Sequence, residues 1–200
     1  MEIDITKCLK PNVVDSCALW NILSSLVFHS VIEDNKFDFC ITAYVKYECL
    51  EKPRSFSTES ERKLKLELEK HIAKGKFPAH ELTLEDLQDE SILALKNRLG
   101  RGEISSIAFA KKTGIAFLTD DMGARKKAKP ILGNERVQTS PLILGWLHFH
   151  GMINDGDVEN IIADHEGLHR PLSKYFREVV GESYRMRYFL SQVKSSNEPI

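Results

Sequence analysis

Short apolar runs that end on a polar residue and pass straight into a helically spaced segment recur along this chain. No other feature restricts its fold as much. "PNVVDS" is a buried strand ending at Asp15, and in the following "CALWNILSSLVF" the residues Leu19, Ile22, Leu23 and Leu26 repeat at helical spacing. "FDFCIT" is a second strand. It leads into a helix over "AYVKYECLEK" that must stop before Pro53 and carries Glu48 near its end. "AHELT" predicts a shorter strand, "IAFLT" a buried parallel one, and "RVQT" a fifth. Strands and helices in this alternation predict an α/β fold, a sheet with helices on its faces.

The helices are punctuated as physical chemistry requires. Thr58 and Glu61 have capping-box spacing before the amphipathic "RKLKLELEKHIAKG", with Gly75 as its stop. Thr83 caps a helix over "LEDLQDESILALKNRL", Gly114 ends one over "GRGEISSIAFAKKTG", and Ser140-Pro141 starts "LILGWLHFH". From Gly151 onward only helical patterning remains. The chain therefore divides into a domain over residues 1–150 and a helical C-terminal extension over 151–200. With 200 residues and 42% hydrophobic content, a substantial core is available. A formal charge of −1 gives no overall attraction to polyanions, so any such attraction comes from a local patch. Cysteines 8, 17, 40 and 49 form no Cys-x-x-Cys pair, "MEIDITKCLK" holds no apolar signal core, and runs such as "PLILGWLHF" are too short to cross a bilayer. The expectation is a soluble, cytoplasmic protein without membrane association.

Carboxylates stand where the strands end. In an open parallel sheet ligands bind outside the carboxyl ends of the strands, and Asp15 and the Asp120-Asp121 pair of "FLTDDMGAR" fall there. Glu103, at a helix start after "GRG", and Glu48, on the helix after the second strand, reach the same edge if those strands are neighbours. Acids so gathered repel one another and either take up protons or bind a cation, and hard oxygen ligands suit Mg²⁺ or Mn²⁺. Divalent ions of this kind support phosphodiester displacement, which makes a nucleic acid the natural substrate class. The basic run "ARKKAK" adds Arg125, Lys126, Lys127 and Lys129 just after Asp121, with Arg101 before Glu103, as groups to hold a phosphate backbone.

In "VVDSCALWNIL", "VKYECL", "GRGEISSIAFAKKTGIAFLTDD" and "MGARKKA" the chain resembles the PIN-domain nucleases, especially the toxin-type ribonucleases of bacteria and archaea and their relatives. The resemblance covers roughly residues 12–145. It implies a three-layer fold with a central five-strand parallel sheet, a Mg²⁺ or Mn²⁺ site, and endonucleolytic hydrolysis of RNA by metal-activated water. It places Asp15, Glu48, Glu103 and Asp121 as metal ligands, with Asp120 assisting as a further catalytic acid. Ser16 and Thr119 are expected to orient carboxylates or water by hydrogen bonds. Relatives of this type pair as homodimers and with antitoxins, so a protein partner or a second copy joins RNA among the expected partners. Glu103 stands where the minimal toxins often carry Asp, and the charged helix and long tail exceed their pattern. Toxin, defence nuclease and RNA processing all remain open as roles, as does a catalytically weak module that docks a partner through its tail.

Simpler explanations exist for each part. Asp15 and Asp120 have the position of strand ends and helix caps, Glu103 complements a helix dipole, and "ARKKAK" has the composition of a solvated face. "HEGLH", residues 165–169, has the letters of a zinc-protease helix, but Gly167 and Pro171 argue for a turn between two helices with exposed or capping histidines. The two histidines of "HFH" point to different helix faces, and Trp20 and Trp146 are expected in apolar packing. The aromatic and basic tail "HRPLSKYFREVVGESYRMRYFLSQVK" allows RNA binding and equally reads as an amphipathic helix pair packing on the main domain or on a partner.

Overall fold

The computed structural model describes residues 4–53 and 58–196. Two compact units make up the chain, Leu9–Ser140 and Met1–Cys8 with Pro141–Ile200. The division therefore falls one helix earlier than the boundary expected at residue 150.

The larger unit is the expected α/β fold. Strands β1 (Asn12–Val14), β2 (Phe39–Thr42), β3 (Ala79–His80), β4 (Ala116–Leu118) and β5 (Val137–Gln138) form one five-stranded sheet. Its order is β3-β2-β1-β4-β5, every neighbouring pair is parallel, and Val13 stands opposite both Cys40 and Phe117. All residues of β1, β2 and β4 are buried, as required of parallel strands covered on both faces. The chain starts in the middle of this sheet, builds outward to β3, then returns to add β4 and β5 on the other side. A topological switch point thus lies between β1 and β4, where the loops leaving the two strands part and open a crevice.

Helices α1 (Ser16–Leu23), α2 (Leu26–Asp34), α3 (Ala43–Lys46, continued as a π-helical turn over Tyr47–Glu51), α4 (Glu59–Ala73), α5 (Leu84–Gln88), α6 (Glu90–Leu93), α7 (Arg101–Thr113) and α8 (Met122–Leu132) complete the unit. Two expected helices are broken in two. In "CALWNILSSLVF" the Ser24 hydroxyl turns back to Trp20 O while Ser25 caps α2, and the axis bends by 101°. In "LEDLQDESILALKNRL" the Asp89 carboxylate caps a new start by accepting from Ser91 N at 3.0 Å. The other boundaries follow the sequence. Thr58 and Glu61 form their capping box, and α7 ends at Gly114, whose φ of 76° is a conformation that glycine adopts freely. Val13, Ile107, Ala108, Phe117, Ala124 and Ala128 form the centre of one core cluster between sheet, α7 and α8.

The smaller unit is helical, with α9 (Ser140–Phe149), α10 (Asp155–Gly167) and α11 (Ser173–Ser196). A side chain added at Gly145 would lie 2.9 Å from both Ile5 Cγ2 and Val179 Cβ, so the glycine permits close packing of α9 and α11. "HEGLH" departs from its expected form. His165 is a fully buried residue within α10, with Nδ1 2.8 Å from Ile161 O and its ring edge-on to Phe176. The helix ends at Gly167, and His169 sits beyond it with φ of 54°, so the two histidines do not share a helix as a zinc-protease pair does. His148 is buried between Ser183 and Asp155. No single helix among the described residues is long and apolar enough to cross a membrane.

Candidate metal centre

Asp15 leaves β1 at the switch point and caps α1, its Oδ1 accepting from Ala18 N at 2.8 Å. The cap engages one oxygen. The other, Oδ2, is buried and meets no hydrogen-bond donor among the described residues, in a side chain only 1% exposed. Burial pushes Asp15 up to about 7 from its ordinary 3.8; the bond from Ala18 and the nearby Thr119 hydroxyl oppose the rise, while the charges of Asp120 and Glu103 add to it. The Thr119 hydroxyl lies near enough to lower the Asp15 pKa but completes no hydrogen bond to Oδ2. A buried carboxylate oxygen without a donor is costly, and a cation is one of the few groups that relieves it.

Glu48 and Glu103 come from facing helices. Thr42, the last residue of β2, caps α3 through Val45 N and shares a 2.6 Å hydrogen bond with Ser105 on α7. Ser105 in turn donates to Gly102 O at 2.8 Å, which fixes the first turn of α7 against the strand end. The Glu48 carboxylate lies directly over that turn: a Cβ at Gly102 would stand 2.2 Å from Glu48 Oε2. Only glycine leaves room for it. Glu103 Oε2 accepts from Gly100 N at 2.8 Å. Burial raises the Glu103 pKa, Gly100 opposes this, and the charges of Asp121 and Glu48 raise it further.

The adjacent aspartates have different surroundings. Asp120 receives three hydrogen bonds, from Asn21 Nδ2 at 2.8 Å, Ser140 N at 2.8 Å and Ser140 Oγ at 2.6 Å. Both its oxygens are engaged, and it acts as a strut from the end of β4 to α1 and to the segment that follows β5. Asp121 caps α8 through Oδ1 and Ala124 N at 2.7 Å, and its own N–H donates to Thr119 Oγ1. Its Oδ2 receives no hydrogen bond among the described residues. Four carboxylates thus retain oxygens that no donor reaches, on Asp15, Glu48, Glu103 and Asp121, and none of them pairs with a Lys, Arg or His among the described residues. These are the four acids expected as ligands, and Glu103 links them electrostatically: the charges of Asp121 and Glu48 act on it, and its own acts on Asp15. No three of these carboxylates bring oxygens within 4.8 Å of one another among the described residues, so they form no closed ligand cage, though hard oxygen donors are the kind that Mg²⁺ and Mn²⁺ take. The donor set and the unsatisfied Asp15 oxygen fit such an ion.

Other expectations fare unevenly. Ser16, half-buried at the start of α1, makes no hydrogen bond to these acids among the described residues, because Asp15 folds over its own helix start instead. Lys126 and Lys127 are exposed on α8, whose opposite face buries Ala124, Ala128 and Leu132, and Arg101 is exposed at the start of α7. Arg125 is half-buried, with an Nε that finds no hydrogen-bond partner among the described residues, and Lys129 is half-buried. Sequence reasoning missed Asn21, Gly102, Ser105 and, as a partner of Asp120, Ser140. Asn21 had a signal, a polar residue inside an apolar helical run. Comparison of the chain with protein-family models, curated proteins and solved structures finds no match.

Proposed function

We propose that this protein is a divalent-metal-dependent endoribonuclease of the PIN-domain kind. The observation that carries the reading is the set of four carboxylates with undonated oxygens on the crevice at the sheet's switch point. Asp15, Glu48, Glu103 and Asp121 would hold Mg²⁺ or Mn²⁺. When bound, such an ion supplies Lewis acidity toward a scissile phosphate and activates water. The protein's own residues do the rest. Asp120, braced by Asn21 and Ser140, fixes the loop that carries Asp121. Thr119 holds the Asp121 backbone, and Gly102 leaves the space in which Glu48 stands. The α8 cations Arg125, Lys126, Lys127 and Lys129, with Arg101, hold the RNA backbone. The resemblance in the sequence implies products bearing a 5′-phosphate and a 3′-hydroxyl.

A second reading, a catalytically weak module that docks a protein through its tail, is favoured by one observation. Helix α11 leaves Tyr184, Tyr188, Phe189 and Leu190 exposed. An antitoxin, another protein or a second copy would be such a partner.

The deciding experiment is cleavage of a mixed tRNA and single-stranded RNA pool by wild type and Asp15→Asn, with EDTA, Mg²⁺ or Mn²⁺. Cleavage by the wild type alone, dependent on the ion, is expected. Equal background activity from both folded proteins in every condition overturns the nuclease and leaves the docking module.

A further inference from the structure

A second constellation lies outside the acidic edge. His29 and Glu33 stand one turn apart on α2, and His71 approaches from the last turn of α4. His29 is buried, its Nε2 is 3.9 Å from Glu33 Oε1, and its ring meets that of His71 edge-on with centroids 4.2 Å apart. One ligand atom from each of the three residues lies within 4.8 Å of the other two. Phe77 stacks on His29 and meets His71 edge-on, forming an apolar wall beside both imidazoles.

We propose that His29, Glu33 and His71 form a Zn²⁺ site that ties α2 to α4. Two imidazoles and a carboxylate are a recurrent zinc donor set. A tetrahedral ion with bonds of about 2.0–2.2 Å needs ligand atoms about 3.3–3.5 Å apart, which small side-chain rotations supply here. The fourth position is open to water or to Glu67, which stands one turn before His71 and is held by Lys70 at 2.7 Å. The arrangement is a pair of helices, each offering a histidine and an acid at i and i+4, with side chains on one face. Lys76 Nζ lies 3.3 Å from Glu33 Oε1, so a metal competes there with an ammonium. The Lys76 side chain is 54% exposed, so its ammonium moves readily into water.

The site is independent of the acidic one, and a binding measurement separates them. Zn²⁺ affinity is read by competition with a chromophoric chelator for wild type, Asp15→Asn, His71→Ala, Glu33→Gln and Lys76→Gln, each checked for folding by circular dichroism. One tight equivalent is expected in the wild type and in Asp15→Asn. His71→Ala and Glu33→Gln should each weaken binding by at least the roughly 10–100-fold that removal of an outer partner alone costs. Lys76→Gln should tighten it by roughly fivefold as the competing charge is removed. Co²⁺ substituted into the wild type should give the intense visible absorption of a low-coordinate site, absent in His71→Ala. Unchanged affinity in folded His71→Ala and Glu33→Gln, or loss of binding in Asp15→Asn, overturns the proposal.

Discussion

At the scale of single residues, the unsatisfied oxygen of Asp15 has consequences for stability as well as chemistry. Its folded-state pKa, about 7, lies above the ordinary 3.8. A carboxyl raised in this way favours folding at low pH and opposes it progressively as pH climbs from about 4 to about 7. In metal-free protein, Asp15→Asn should therefore raise Tm above the wild-type value at pH 8 by about 5 °C or more, with the gap closing near pH 4. Thermal unfolding followed by circular dichroism in EDTA reads this directly, and a variant less stable than wild type at pH 8 would contradict the assignment. Gly102 offers a second test. A methyl group there meets Glu48 Oε2 at 2.2 Å, so Gly102→Ala must swing that carboxylate away. The expected result is a folded protein whose Mn²⁺ affinity, measured by calorimetry, falls roughly tenfold or more.

Among the elements, α8 joins two tasks. Its buried face of Ala124, Ala128 and Leu132 fastens it to the core, while Lys126 and Lys127 project from the other side. Because Asp121 caps its first turn, the basic face begins immediately beside the acidic edge. Reversing those charges in Lys126→Glu/Lys127→Glu should weaken single-stranded RNA binding and reduce the salt slope of log K by about 0.7 for each phosphate that is no longer neutralised. Fluorescence anisotropy across a salt series measures it. An unchanged slope would return these lysines to the status of a solvated face. The break between α1 and α2 belongs to the same scale. Ser25 restarts the helix at a bend of 101°, so α2, which carries His29 and Glu33, does not continue the line of α1.

At the scale of the whole molecule, the sheet that carries the acids also carries the core. Phe117 is fully buried in β4, beside β1 in the middle of the parallel ladder. Phe117→Ala should cost about 3–5 kcal/mol in urea unfolding, since the cavity opens in the core cluster that Phe117 forms with α7 and α8. The strand-and-helix order was legible in the sequence because "PNVVDS", "FDFCIT" and "IAFLT" each end an apolar run at a polar residue before a helical repeat. The caps at Thr58, Thr83 and Gly114 were legible for the same local reason. Which side of β1 each later strand joins was not, because strand order depends on long-range pairing between segments that are each simply buried and apolar. Nor could spacing distinguish Asp120 from Asp121. The difference comes from Asn21 and Ser140, which are 99 and 20 positions from Asp120 and reach it only after the sheet has formed. The sequence by itself determined the residue types, the element order and the presence of acids at strand ends, all set by local propensity and periodicity. Only tertiary structure decided which carboxylates keep an oxygen without a donor, because hydrogen-bond satisfaction is a property of neighbours in space.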